Sequence, residues 1–418
     1  MSQDSVDRLT AITQALVRSD SQTPPSDTRD VVAIAQDFLK GIPGVILKRY
    51  ISEEPVENLV AVLDGGLPGP RTILSGHLDT YPIGDISMWK FLPLGGEIGD
   101  GFIYGRGAAD MKGGVAVLVE ILADWAKRRP FAGSLVLALA GDEERMGELG
   151  TQWLMDNAPE IHGDGVLVAD VGGPFAVRLG EKGMLWLEIE AEGKQAHSAH
   201  VYVGVNAADR LVDALIALRK VESLIPEPPE DARNVMALAA RKTGESEGLR
   251  RTMERVTVNV GMMNGGSSPN LVPARASAAV DIRIPLGLST AEVEKSVDAL
   301  LGGRPGVAWT ITRRYEPSWT DSRTPLAAAC LDGARKVSKE AAVFDNRIGG
   351  SDARLWRRGG YPCVVIGLTP RNLGAPDEAC HIGELSQLHA VYDAIIGEIH
   401  GQGVVTLSEN DCADSGGA

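Results

Sequence analysis

Ser75-Gly76-His77-Leu78-Asp79-Thr80 and Gly105-Arg106-Gly107-Ala108-Ala109-Asp110-Met111-Lys112-Gly113-Gly114 are two charged clusters set in apolar sequence. Arg71-Thr72-Ile73-Leu74, ahead of the first, reads as a strand, so His77 and Asp79 sit at its carboxyl end. Val115 to Trp125, behind the second, is apolar and helix-like, which puts Asp110 just before a helix. Strand carboxyl ends and helix amino ends are where α/β proteins place their chemistry. In extended chain the i, i+2 spacing points His77 and Asp79 to the same side. One can then bind a metal while the other orients the imidazole from behind.

Outward from this stretch, composition sets bounds. The chain has 418 residues, enough for two or three domains, and its 44% hydrophobic fraction is that of a globular protein with a substantial core. A net charge of -15 argues against nucleic acid or an anionic membrane as partner, since both select basic surfaces. No apolar run is long enough to span a bilayer. Met1 to Asp20 lacks the charged-then-apolar pattern of an export signal, so the expected location is cytoplasmic. Cys330, Cys363, Cys380 and Cys412 are scattered, as reduced thiols would be.

Helices are expected over Val6 to Arg18 and about Thr28 to Leu39, separated by Thr23-Pro24-Pro25-Ser26-Asp27. Val45 to Tyr50, Asn58 to Leu63 and Arg71 to Ser75 read as strands. Phe131 to Leu139 is apolar enough for a buried central strand and runs into Gly141-Asp142-Glu143-Glu144. Gly165 to Ala169 is another such strand, ending at Asp170. Three strand ends thus deliver carboxylates or histidine, and the alternation with helices predicts a largely parallel sheet. Strands at Leu185 to Ala191, Val256 to Val260, Ala274 to Ile284 and Val307 to Arg314, with helices Asn206 to Val221 and Thr290 to Leu301, suggest a separate inserted α+β domain. Pro325 to Ser338 and Glu384 to Ile399 read as helices, and Cys363 to Ile366 as a strand. Glu230 to Glu254 is charged and shows no clear period.

In order and spacing, His77-Leu78-Asp79, Gly105-Arg106-Gly107 through Asp110-Met111-Lys112, Asp142-Glu143-Glu144, Asp170, Gly193-Lys194-Gln195-Ala196-His197 and Gly350-Ser351-Asp352-Ala353 resemble the M20 metallopeptidase family. That family includes acetylornithine deacetylase, succinyl-diaminopimelate desuccinylase and carboxypeptidase G2. The resemblance runs from near residue 5 to near residue 400. It implies an α/β fold with a mostly parallel-sheet catalytic domain over residues 1–182 and 316–400. An α+β dimerisation lid would occupy 183–315, and 401–418 would form a flexible tail.

The resemblance also implies site roles. His77, Asp110 and Asp170 would hold one metal, with Asp110 bridging to a second held by Glu144, and Asp79 supporting His77. Glu143 would be the general base that takes a proton from a water at the metal. His197 would reach into a partner subunit's site and stabilise a developing oxyanion. Asn270, Arg283 and Ser351 resemble residues that bind a substrate carboxylate.

Two departures stand out. The family's last ligand, a histidine shortly before an Asp-Glu or Asn-Glu pair, matches Gly374 here. His381 lies beyond the pair, where a shifted loop would have to bring it in. The segment after His197 lacks the usual proline and carries His200 instead. Loss of one imidazole leaves an oxygen-rich ligand set, which suits Mn²⁺; Zn²⁺ and Co²⁺ are the other candidates. About one metal per chain is favoured over two, and a histidine restored at 374 should raise the number.

The expected activity is metal-dependent hydrolysis of a C–N bond in a small carboxylate-bearing compound, of the N-acyl amino acid deacylase or amidase type. An alternative is hydrolytic deamination of an aromatic amino acid such as a nitroanthranilate, which resembles a specialised branch of the family. A third is a non-catalytic metabolite-binding homologue. A homodimer or higher homo-oligomer is expected.

Overall fold

The computed structural model describes residues 3–243, 246–339 and 341–401. The 402–418 part of the expected tail lies outside the described residues. The described residues fall into two compact units, one drawn from 3–177, 325–342 and 361–401, the other from 178–324 and 343–360.

The apolar run Phe131–Ala140 forms the strand on which the first unit is built, and nearly every residue in it is buried. Burial of one Val, Leu or Ile side chain stabilises by about 1.5–3 kcal/mol, which a strand enclosed on both faces exploits at successive positions. Across the sheet the order is Val45–Glu53, Val56–Asp64, Phe131–Ala140, Gly66–His77, Gly165–Val168, Cys363–Val365. The first two strands pair antiparallel with each other, and the second pairs antiparallel with Phe131–Ala140. The remaining pairings are parallel. Sequence periodicity therefore located the strands but not the antiparallel edge, whose short Glu54-Pro55 connection forces a hairpin.

Register decides where the chemistry emerges. His77 is level with Ala140, and Ser75 with Val168. The residues just past these three strand ends are Asp79, Asp142 to Glu144, and Asp170, so all leave the sheet at one edge. The helix Gly113–Lys127 packs beside that edge and is buried along almost its whole length. Its start needs glycine: a Cβ on Gly114 would lie 2.1 Å from the Ala169 carbonyl oxygen.

The second unit contains a four-stranded antiparallel sheet in the order Thr257–Gly265, Arg275–Ile284, Gly183–Glu192, Val307–Tyr315. Burial alternates along Arg275–Ile284 with the period of two that a half-covered strand requires. Helices Ala207–Leu218 and Thr290–Leu301 supply Leu211, Leu218, Val293 and Val297 to the same core as Leu187, Val280 and Ile282. Ser289 and Glu292 form a reciprocal cap at the start of the second helix. The charged stretch without a clear period is helical, as Glu230–Thr243 and Glu247–Glu254. Among the described residues no helix is long and apolar enough to cross a membrane.

Candidate metal centre

Among the described residues, His77, Asp110 and Glu144 each bring one ligand atom to within 4.8 Å of the others. They come from a strand end, the turn before a helix, and the turn after the central strand. Asp79, fully buried, ties these pieces together. Its Oδ1 accepts the Glu143 N–H at 3.0 Å, and its Oδ2 accepts the Glu144 N–H at 3.0 Å and the Thr23 hydroxyl at 3.0 Å. His77 Nδ1 faces the Asp79 backbone carbonyl at 3.0 Å, with the Asp79 carboxylate at 3.5 Å. Sequence spacing suggested that the Asp79 side chain orients the imidazole. The structure adds that the same carboxylate pins the turn carrying Glu143 and Glu144.

His77 Nε2 lies 3.1 Å from Asp110 Oδ1. Burial would pull this imidazole down, but the hydrogen bonds to Asp110 and Asp79 outweigh it and hold it well above its ordinary value. Burial also pushes Glu144 well up, reinforced by the charges of Asp110 and Glu143. Glu144 Oε1 is enclosed without a hydrogen-bond partner. A buried carboxylate oxygen of this kind is costly unless something positive sits against it. An imidazole nitrogen and two carboxylates at this separation, one of them with an unpartnered oxygen, fit a divalent cation.

Asp170 is buried but stands outside the 4.8 Å group, and its carboxylate accepts the Val171 N–H. Glu143 is half-buried on the turn held by Asp79. His381 ends the short strand Ala379–His381 and is exposed. Its Nδ1 accepts the Gly383 N–H at 3.1 Å, capping the last helix, and its ring packs edge-on against Phe102. It is not brought into the group with His77.

In the second unit, His197 is exposed and its Nδ1 accepts the Ala199 N–H at 3.1 Å. His197 pairs with Leu271, and the Ser198 N–H donates to the Asn270 carbonyl at 2.9 Å, so these two predicted residues are neighbours. Arg283 donates to Asp281 Oδ2 at 3.0 Å and to the Tyr315 hydroxyl at 3.1 Å. Ser351 is fully buried and donates to Glu181 Oε2 at 2.8 Å. Arg354 donates to the Ser351 carbonyl and stacks over the Tyr315 ring, so Ser351 and Arg283 meet through Tyr315.

Several residues of the centre escaped the sequence reading. Glu378 Oε1 accepts the N–H groups of Ala109 and Asp110 at 3.2 and 3.3 Å, fixing the backbone under Asp110. Its Oε2 takes Arg106 Nη1 at 2.5 Å, and both side chains are buried. Burial, with the charge of Asp110, still pushes Glu378 up to about 7 despite the arginine. The Asp-Glu pair at 377–378 was the available signal. Lys112, wholly buried, donates to the Ser19 carbonyl at 2.9 Å, and burial lowers it to about 7. Tyr81 follows the first cluster directly. The charge of Glu144, then burial, then Asp110, Glu143 and Asp170 hold its phenol well above the ordinary range.

Residues 73–398 match the model of peptidase family M20/M25/M40. The chain is 30% identical over 405 residues to a succinyl-diaminopimelate desuccinylase of Rhodospirillum centenum, covering 92% of this chain and 96% of that protein. A second enzyme with that name, from Methylorubrum extorquens, is 27% identical over 405 residues, covering 92% and 97%. Among solved structures, an M20 family metallo-carboxypeptidase of Sulfolobus solfataricus superposes with a TM-score of 0.76 at 18% identity, covering 96% of this chain and 99% of that one. A Staphylococcus aureus tripeptidase gives 0.72 at 20% identity, covering 94% and 98%. With the family model spanning most of its length, the chain belongs to peptidase family M20/M25/M40 and is a metal-dependent amide hydrolase.

Proposed function

We propose that the chain hydrolyses the amide C–N bond of a small carboxylate-bearing substrate, as an N-acyl amino acid deacylase. The observation that carries this reading is the juxtaposition of His77, Asp110 and Glu144, with Glu143 on the same pinned turn. A divalent ion held there, with Asp170 as a further ligand, would polarise the scissile carbonyl and acidify a water. Glu143 collects the water's proton and returns it to the leaving nitrogen. His197 serves the oxyanion, and Asn270, Arg283 and Ser351 serve the substrate carboxylate, Ser351 through its loop because its hydroxyl is engaged by Glu181.

The test is a screen of N-acyl amino acids and aminobenzoates with added Mn²⁺, Zn²⁺ or Co²⁺, reading both carboxylic acid and ammonia. Release of the acyl acid supports the deacylase. Ammonia from an aminobenzoate would replace it with a deaminase. Binding without turnover of any compound would make the chain a metabolite-binding homologue.

The geometry of the second unit supports a homodimer as part of this reading. Arg275 pairs with Glu192 and Arg283 with Met184. At about 3.3 Å per residue, Arg283 is therefore ~26 Å along the strand from the end near His197 and Asn270. One chain does not close these residues around one small substrate, whereas two copies can. Val212 and Ile216 on helix Ala207–Leu218, and Met262 and Met263 on the edge strand Thr257–Gly265, are exposed and offer the apolar surface. Sedimentation should give at least a dimer. Mixed His197→Ala and Glu143→Ala chains should regain activity that neither has alone, and an active monomer would contradict this.

The reading also sets the metal content. About one Mn²⁺ per chain should be retained through gel filtration, lost to a chelator and restored by Mn²⁺, as measured by elemental analysis. Two tightly held metals per chain would contradict it.

A further inference from the structure

The connection between the helices Gln3–Arg18 and Arg29–Leu39 is laced to both charged clusters at alternate positions. The Lys112 ammonium donates to the Ser19 carbonyl at 2.9 Å, and the Ser21 hydroxyl donates to the Leu78 carbonyl at 2.7 Å. The Thr80 N–H donates to the Ser21 carbonyl at 3.0 Å, and the Thr23 N–H donates to the Thr80 carbonyl at 2.8 Å. This register carries the Thr23 hydroxyl to Asp79 Oδ2, 3.0 Å away.

The direction of the hydroxyl protons follows from the acceptor. A carboxylate only accepts, so Thr23 gives its one proton to Asp79. The Ser26 hydroxyl, 3.1 Å from Thr23 Oγ1, then donates to Thr23. Both residues are buried. Ser26 stands at a φ of +67°, where a non-glycine residue is strained, and its N–H donates to the Gln22 carbonyl at 2.9 Å. Glycine would adopt this conformation without strain but has no hydroxyl to offer. A strained serine at the head of a hydroxyl chain that ends on Asp79 points to a role for that chain.

We propose that Thr23 is a positioning residue of the metal centre, with Ser26 behind it: the two hydroxyls hold the Asp79 carboxylate in the rotation from which it carries the Glu143 and Glu144 turn and faces His77. Asp79 Oδ2 is shared by the Thr23 hydroxyl and the Glu144 N–H. That leaves Oδ1 to the Glu143 N–H at 3.0 Å and turns it toward His77 Nδ1 at 3.5 Å. Without the Thr23 proton the carboxylate can turn about its last bond, and the turn bearing Glu143 and Glu144 loses a fixed support. The connection between the first two helices thus belongs to the centre, although it supplies no member of the His77, Asp110 and Glu144 group. The inference rests on the metal-centre reading above.

Calorimetric titration of chelator-treated protein with MnCl₂ tests this without any substrate. Thr23→Val keeps the shape and removes the proton, and it should weaken Mn²⁺ about tenfold, the scale on which losing a ligand's supporting partner acts. Thr23→Ser keeps the hydroxyl and loses the methyl, and its affinity should stay near wild type. A packing role reverses that order, and the reversed order overturns the proposal. Ser26→Gly removes the hydroxyl and the backbone strain together. It should weaken Mn²⁺ in the same direction by less, and wild-type affinity there overturns the part given to Ser26. Thr28, buried on the same connection, is the control, because its hydroxyl donates to the Glu57 carbonyl and accepts the Glu57 N–H, each at 2.9 Å. Thr28→Val should lower the urea midpoint and leave Mn²⁺ affinity near wild type. A loss of affinity equal to that of Thr23→Val would make the effect a general loosening and overturn the proposal. Since Thr23 acts through Asp79, Thr23→Val should add nothing in an Asp79→Ala background, and additive losses overturn the proposal. If Asp79→Ala does not fold, the comparison of Thr23→Val with Thr23→Ser decides alone. Uptake of no metal by wild type would remove the metal-centre reading, and this inference with it. Uptake by wild type with unweakened binding in Thr23→Val would remove the inference and leave the centre standing.

Discussion

Glu143→Ala should lower turnover by ~10²–10⁴-fold while leaving Mn²⁺ affinity within a few-fold of wild type, because a positioned acid-base group contributes on that scale. The separation of the two effects is what the geometry predicts. The carboxylate of Glu143 is outside the group formed by His77, Asp110 and Glu144, yet its backbone is fixed by the same Asp79 that fixes Glu144. Removing the side chain therefore takes away the proton acceptor and leaves the ligand turn in place. Turnover and metal titration measured on the same preparation check this. Unchanged turnover would remove Glu143 from the base role, and lost metal would make it a ligand.

Arg106→Met should be the most damaging single change to stability. Arg106 and Glu378 are both enclosed, and their pairing is what makes a carboxylate tolerable at that depth. Breaking a buried pair from one side commonly costs about 3–5 kcal/mol, because the partner charge is left without compensation. Glu378 is pushed up to about 7 even with the arginine present, so without it the group should take a proton. Its Oε1 contacts to the Ala109 and Asp110 N–H groups then weaken, and metal affinity should fall along with the unfolding midpoint. Urea titration of Arg106→Met against Arg106→Met/Glu378→Leu separates the terms. The double variant, with no orphaned charge, should recover part of the loss. Equal midpoints for wild type and the single variant would contradict the argument.

The parts of this molecule that could be read in advance are those where chemistry coincides with local pattern. His77, Asp110 and Glu144 sit at the ends of apolar segments, and an apolar run stopping at a charged residue can be seen within ten residues. Arg106 and Glu378 are 272 positions apart, and nothing local says that one neutralises the other. Nothing local marks Tyr81, because its neighbours at 144 and 374 are distant in sequence. The strands Ala176–Glu181 and Val343–Arg347 hid for a different reason. Each carries charge inside a short run, and Arg178 with Asp345 supplies compensation that periodicity does not register. Among the described residues of Glu230–Thr243 the buried stripe is Ala232, Val235 and Ala239, too narrow to show through so many charges.

The unpartnered oxygen of Glu144 and the doubly engaged ring of His77 also make the centre a proton reservoir. Both groups are shifted upward, so in the absence of a cation they retain protons at pH values where free side chains would have shed them. A cation must expel those protons to gain its ligands. Loading should therefore acidify an unbuffered solution, and apparent affinity should climb as the solution is made more alkaline. Calorimetry in buffers of differing ionisation enthalpy would show this as heats that change with the buffer, and identical heats in phosphate and Tris would refute it. In practice an acidic purification step would strip this enzyme without any chelator, and neutralisation with added metal would be the route back.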